Sequence, residues 1–307
     1  MTSIIFNELK TNYKLNIEKI ELHRDMIGYV FFVLTDKKKY VLKISRPINT
    51  KKALQSIEII EFLSRNDYPV PRIIKSISNK SYIKLKIKEE YYIGCLFEFV
   101  AGKEPNVSLN LKALGKHTAR LHCLMKNYPN KLVSYGKNFY IDRFIRLLEK
   151  SNYSQYKIDE LIEYGNELWD YMEKVPQSFC HGDLHSGNII ENDEKNFITF
   201  DFDIASNTSN LIDIATLCDQ TNFNMFSAEA YEITKKSINN FYDGYIKENN
   251  ITDIELNTTY HFIAIRHYEL IATITEIHNN EGNSIKFLDQ QYEWLMKWKN
   301  LCYKYSN

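Results

Sequence analysis

A change of hydrophobic period part-way along the chain constrains the fold more than any other feature. Up to about residue 100 the apolar residues alternate as in strands, and from residue 109 they recur at helical spacing. The runs 17–22, 29–34 and 40–45 are short and alternating or β-branched, with Asp/Lys-rich turns between them, which predicts an antiparallel meander. Residues 51–64 change to helical spacing, with Leu54, Ile57 and Leu63 on one stripe, and Pro69 and Pro71 forbid any continuation. Two more strands, 82–88 and 92–100, meet across Glu89-Glu90 before Ala101-Gly102-Lys103-Glu104-Pro105 breaks the pattern. That break sets the expected division, a first lobe over 1–100 and a second over 101–307. Helical stripes then cover 109–125, 140–149, 158–173, 228–247, 258–278 and 284–299. Only 177–202 escapes them, as loop with short strands at 188–191 and 197–200 around an Asn-Asp-Glu-Lys turn. The pattern predicts an α+β chain with a small antiparallel sheet and a larger, mostly helical part.

Composition narrows the function classes without choosing one. A chain of 307 residues that is 44% hydrophobic can bury a full core. Its 39 basic and 39 acidic residues cancel, so bulk charge recommends neither nucleic acid nor an anionic membrane as a partner. The five cysteines are widely spaced and form no CxxC pair, which argues against a disulfide framework and a structural zinc site and for buried thiols in a reducing cytosol. Glu8 and Lys10 interrupt the N-terminus before an apolar run could act as a signal peptide, and no later run is long enough to span a bilayer. The expectation is a cytoplasmic protein.

The exceptional stretch holds the chemistry. It reads His181-Gly182-Asp183-Leu184-His185-Ser186-Gly187-Asn188, and after one predicted hairpin comes Asp201-Phe202-Asp203. Phosphoryl transfer needs a group to accept the substrate hydroxyl proton and hard oxygen ligands to hold magnesium on the phosphates. Asp183 fits the first role, and Asn188 and Asp201 fit the second, at the spacing of a kinase catalytic loop. Gly182 suits a loop that aims two side chains at one point through unusual backbone angles. Asp, Asn, Gly and His are also common turn formers, but a lone turn does not explain three matching spacings and an upstream lysine. A zinc hydrolase is the other reading, since His181, Asp183 and His185 alternate along an extended segment. It needs further ligands, and His23, His117, His122, His261, His267 and His278 offer no such spacing.

Taken together, the motifs resemble the aminoglycoside phosphotransferase and choline kinase-like superfamily over nearly the whole chain. The 181–188 segment resembles its HGDxHxxN loop, and Tyr40-Val41-Leu42-Lys43 resembles the strand whose lysine meets the nucleotide phosphates. Pro69-Val70-Pro71 stands where that family often has PVP after its helix. The resemblance implies a two-lobed, protein kinase-like fold that uses ATP, or GTP, with Mg2+. It implies that a helix glutamate pairs with Lys43, Glu58 by count from the prolines, with Glu61 as the alternative one turn on. Phe97-Glu98-Phe99-Val100 resembles the inter-lobe hinge, where the backbone of Glu98, Phe99 and Val100 would receive adenine. Residues 114–122 resemble the first large-lobe helix ending in LxxLH, and Leu211-Ile212-Asp213-Ile214-Ala215 resembles the DxA segment, whose Asp213 would brace the catalytic loop. His185 would position that loop or sit near substrate. Gly28 is the single glycine of the 23–29 loop and the candidate for phosphate cover.

No APE-like motif follows Asp201, so a small hydroxyl compound is expected rather than a protein. An aminoglycoside would ask for acidic groups such as Asp203, Asp219, Asp243 and Glu269, and choline for an aromatic cage from the 22 Tyr and 17 Phe. Homoserine or a sugar would leave no trace in composition. Residues 260–269, with Arg266 and Glu269, are the polar helix expected to hold substrate contacts. The expected reaction is transfer of the γ-phosphate of ATP to an alcohol. A non-catalytic nucleotide-binding module is the alternative class, and the presence of base and both metal ligands speaks against it.

Overall fold

The computed structural model describes residues 2–277 and 284–306. Packing divides the chain into two units, Met1–Pro105 with Gly187–Ile204, and Asn106–Ser186 with Ala205–Asn307. The first opens with a helix that the period reading did not foresee, α1 (Thr2–Tyr13). Its Ile5, Leu9 and Tyr13 recur every fourth residue and are buried, so the signal was present but short and flanked by charge. The strands β1 (Ile17–Asp25), β2 (Gly28–Thr35) and β3 (Lys39–Ser45) follow, then α2 (Thr50–Arg65), β4 (Ile83–Ile87) and β5 (Glu90–Glu98). They form one antiparallel sheet in the order β1-β2-β3-β5-β4.

The pleat decides where Lys43 goes. Leu42, Ile44 and Leu96 pack with Ile5 and Leu9 of α1 on one face of the sheet. Lys43 lies between Leu42 and Ile44 and must point to the other face, where its cross-strand partner Cys95 packs with Ile93 against Ala53 and Ile57 of α2. A lysine in phase with an apolar strand is thereby delivered to a half-buried position.

The second unit is helical: α3 (Val107–Met125), a π-helical turn at Asn138–Asp142, α4 (Arg143–Glu149) and α5 (Gln155–Lys174) lead to β6 (Phe179–Cys180). The chain then returns to the first unit as the hairpin β7 (Ile189–Glu191) and β8 (Phe197–Thr199). Glu191 N donates to Lys103 O at 2.7 Å, Lys103 N to Glu191 O at 3.0 Å and Thr199 N to Pro69 O at 3.1 Å, which fixes the hairpin to the first unit's backbone. β9 (Ser206–Asn207) pairs with β6. Then come α6 (Leu211–Cys218), α7 (Glu229–Tyr245), α8 (Asp253–Ile277) and α9 (Ile285–Ser306). α8 packs on α4, α5, α6 and α9, and apolar residues around much of its girth make it the centre of this unit. The expected end of this helix at His278 lies outside the described residues. Cys95, Cys180, Cys218 and Cys302 are buried, and no helix among the described residues is long and apolar enough to cross a membrane.

Candidate active site

In the first unit a cavity of about 350 Å3 gathers Lys43, Asn188, Asp201 and the strand end Glu98, Phe99 and Val100. Val41, Ile60, Ile190 and Phe200 give it apolar walls, and its size lies in the range of small-ligand sites. Lys43 Nζ stands 2.6 Å from Asp201 Oδ1 and 2.7 Å from Asp203 Oδ1. Burial alone would lower the pKa of this ammonium, but the two carboxylates outweigh it and hold the group charged, above its ordinary range. Asp201 adopts a left-handed φ of 67°, a conformation that Asp tolerates better than most residues with a Cβ. Phe200 N donates to Asn188 O at 3.1 Å, so the two oxygen-bearing residues are tied across the foot of the β7–β8 hairpin.

Two expectations are corrected here. The helix glutamate does not reach Lys43: Glu58 is on the exposed side of α2, because Ser56, Ile57, Ile59 and Ile60 take the buried one. Glu61, the alternative, is engaged by Lys75 and Ser81. Lys43 instead takes Asp203, which the sequence had offered for substrate or loop contacts. Gly28 does not line the cavity. It sits opposite Ser45 in the β2–β3 ladder, where a Cβ would stand 2.7 Å from Ile44 O, so the glycine serves close strand approach. Glu98 directs its carboxylate to Lys38 Nζ at 2.7 Å, which leaves only its backbone for a ligand in the cavity.

In the second unit the loop that carries Asp183 is fixed by hydrogen bonds. Gly182 has φ 85°, the left-handed angle its place between His181 and Asp183 demands. Asp213, fully buried, accepts from His181 N at 2.7 Å and from Gly182 N at 2.9 Å. It also meets His122 Nε2 at 3.0 Å. The tautomer of that histidine follows from its other neighbour. Tyr245 Oη accepts from Asn210 Nδ2 at 3.1 Å and Asn249 Nδ2 at 2.8 Å, so its proton goes to His122 Nδ1, 2.8 Å away. His122 Nε2 therefore carries the proton that is donated to Asp213. The LxxLH helix and the DxA segment thus meet behind the 181–188 loop, a link that neither motif discloses alone.

Asp183 itself is partly exposed. Its Oδ1 receives Arg266 of α8, and its Oδ2 lies 3.7 Å from His185 Nε2. Arg266 also pairs with Glu269 one turn on, and Glu269 Oε1 stands 3.7 Å from Arg143 and accepts from Thr273 Oγ1 at 2.7 Å. Arg143 in turn meets Glu276 at 2.6 Å. The sequence had pointed to Arg266 and Glu269 for substrate contacts, and the structure places Arg266 on the carboxylate of the loop. Arg143 was not singled out, and nothing in its local pattern on α4 distinguishes it from a surface arginine.

No three His, Cys, Asp or Glu side chains converge as a metal cage among the described residues, so the zinc reading lacks its donor set. Asn188 and Asp201 fit a different cation. Two hard oxygen donors at a cavity wall suit a magnesium-type ion that takes its remaining ligands from phosphate and water.

The profile of the phosphotransferase enzyme family matches residues 20–243. The chain belongs to the phosphotransferase enzyme family. Its fold is the α+β, protein kinase-like one expected from the sequence. Among curated relatives, an uncharacterized protein of Metamycoplasma hominis is 25% identical over 200 residues, 61% of this chain. This chain spans only 38% of that relative's length. Amicoumacin kinase of Bacillus subtilis is 21% identical over 282 residues, 86% of this chain and 82% of its own. Among solved structures, an amicoumacin kinase in complex with AMP-PNP, Ca2+ and Ami superposes with a TM-score of 0.77 at 20% identity, covering 99% of this chain and 93% of that one. A microcompartment-associated aminopropanol kinase gives a TM-score of 0.76 at 15% identity over 99% and 97%. At these identities the solved structures speak to the fold of this phosphotransferase.

Proposed function

We propose that this phosphotransferase moves the γ-phosphate of ATP to the hydroxyl of an amine-bearing small molecule, either an aminoglycoside-like compound or an amino-alcohol metabolite. The observation that carries the nucleotide half is the single cavity that joins a charged lysine, an Asn and Asp pair of oxygen donors and the end of β5. Lys43 would neutralise phosphate oxygens, and the backbone at Glu98, Phe99 and Val100 would receive the adenine edge. Asn188 and Asp201 would hold Mg2+, which supplies charge neutralisation on the transferring phosphate. GTP in place of ATP would change only the purine edge read by the β5 backbone. Asp183 would accept the acceptor's hydroxyl proton as the oxygen attacks the γ-phosphorus, and ADP would leave with the electrons of the broken bond. Asp213 and His122 would hold the loop backbone from behind, with no part in the proton transfer.

Charge around Asp183 supports an amine on the acceptor. The linked groups are three carboxylates (Asp183, Glu269, Glu276) against two guanidiniums (Arg143, Arg266), a surplus of one negative charge. One structural neighbour is an aminopropanol kinase, an amino alcohol's kinase by name. A panel of aminoglycosides, small amino alcohols, and amine-free alcohols and sugars, scored for ATP consumption and phosphorylated product, tests the reading. Turnover is expected with amine-bearing members. Turnover only with amine-free members would overturn the acceptor class, and silence across the panel would overturn the kinase assignment of these residues.

A further inference from the structure

We infer that Arg266 is a positioning residue for the carboxylate of Asp183, held in place by a relay of alternating charges along α8 and α4. The inference rests on the reading of Asp183 as the base. Arg266 is a poor candidate for a solvated surface group, since its side chain is only 14% exposed. A guanidinium keeps its charge under all conditions of interest and presents several N–H groups in a fixed plane, so it can hold two carboxylates in defined directions at once. Here it does so. One terminal nitrogen meets Asp183 Oδ1 and the other meets Glu269, whose side chain is 3% exposed.

Glu269 is itself oriented by the Thr273 hydroxyl at 2.7 Å and by Arg143 at 3.7 Å. Arg143 is anchored by Glu276, with Nε donating at 3.1 Å and the terminal nitrogen at 2.6 Å, and it also donates to Thr273 Oγ1 at 3.2 Å. The order Asp183–Arg266–Glu269–Arg143–Glu276 therefore alternates in sign, and every inner member has a partner on both sides. Arg266, Glu269, Thr273 and Glu276 fall at helical spacings of three and four on α8, so the helix presents them as one ridge. The consequence is geometric. Asp183 follows a glycine with left-handed backbone, and its main chain is braced through Asp213, but those contacts do not set its χ angles. A charged hydrogen bond on Oδ1 does, and it turns Oδ2 toward the side of His185.

The loop backbone and the carboxylate of its base thus have separate supports, and the second should be separable by experiment. With the full chain and the acceptor that wild type turns over best, Arg266→Met is expected to lower kcat by about 100-fold, the scale set by misplacing a reacting group by about 1 Å. The KM values for Mg·ATP and acceptor should stay within about threefold, as uniform binding is untouched. Arg266→Lys, a point charge that cannot bridge both carboxylates, should lose about 10-fold. Guanidinium ion at low millimolar concentration should restore part of the kcat of Arg266→Ala, which lost packing alone would not allow. Glu269→Gln keeps the arginine but weakens its anchor, covers the case of an unfolded Arg266 variant, and should lose kcat by about 5-fold. Wild-type kcat in Arg266→Met, or in Glu269→Gln should the first not fold, overturns the positioning role. So does a loss confined to acceptor KM, which would make Arg266 a substrate contact. A wild type that phosphorylates nothing in the panel instead overturns the kinase reading beneath it.

Discussion

The two units handle buried charge in opposite ways. In the first, Lys43, Asp201 and Asp203 are 24%, 33% and 28% exposed, and one cation is shared by two carboxylates. Such a cluster is only partly shielded from water, so its members can exchange partners more readily than fully buried groups. In the second, Asp213 is fully buried, and its carboxylate accepts from two backbone amides and from His122 Nε2. An arrangement of that kind resists exchange, because removing one member leaves donors stranded away from water. The Lys43 cluster of the first unit is built to trade contacts, and the backbone support behind Asp183 is built to keep them.

The largest test of that contrast is Asp213→Ala. It should lower the unfolding free energy by about 3–5 kcal/mol, since the three buried donors it satisfies each cost about 1–3 kcal/mol when left without an acceptor. Denaturant titration of the variant would show a midpoint shift of that size, and a shift under about 1 kcal/mol would remove the distinction. Asp201→Ala should do the reverse. Nucleotide affinity in the presence of Mg2+ should fall by about 100-fold, near 2.7 kcal/mol, while stability changes by less than about 1 kcal/mol. Calorimetry that shows unchanged Mg-dependent ATP binding would refute the metal assignment of Asp201.

The smallest effect is on pH dependence, and it belongs to the second unit. Burial lowers the pKa of His261 from 6.5 to about 4 and that of His267 to about 3. His261 stacks on Tyr171 at 3.7 Å and His267 on Trp294 at 3.8 Å, with His267 Nε2 2.8 Å from Gln291 Oε1. The unfolded chain takes up protons as pH falls below 6.5 and these native rings do not, so stability is full above that pH and declines beneath it. At pH 5.5 each ring should subtract about 1.4 kcal/mol relative to pH 7.5. Equal unfolding midpoints at the two pH values would show that these rings are not held neutral.

Much of the fold was legible because it rests on local periodicity. The sheet, α2 and the long helices of the second unit follow from spacing, and the turn-rich 177–202 stretch stood out by lacking it. α1 escaped because three apolar positions among charges make a weak signal. The candidate site was legible as far as motifs are short-range: Asp183 to Asn188 is a matter of loop spacing, and Lys43 of strand phase. Its pairings were not. Glu58 was assigned to Lys43 by counting from prolines, yet the rotation of α2 that buries Ile57 and Ile60 turns residue 58 outward.

The sequence by itself determined the period change, the loop with its hairpin, and a lysine in phase with an apolar strand, because each depends on residues within a few positions of one another. Only the tertiary structure decided that Lys43 takes Asp201 and Asp203, 158 residues and more away in the chain, and that Arg266 of α8 holds Asp183. Charge partners at such separations are chosen by how helices and hairpins are rotated when their apolar faces are buried, and no local pattern records that rotation.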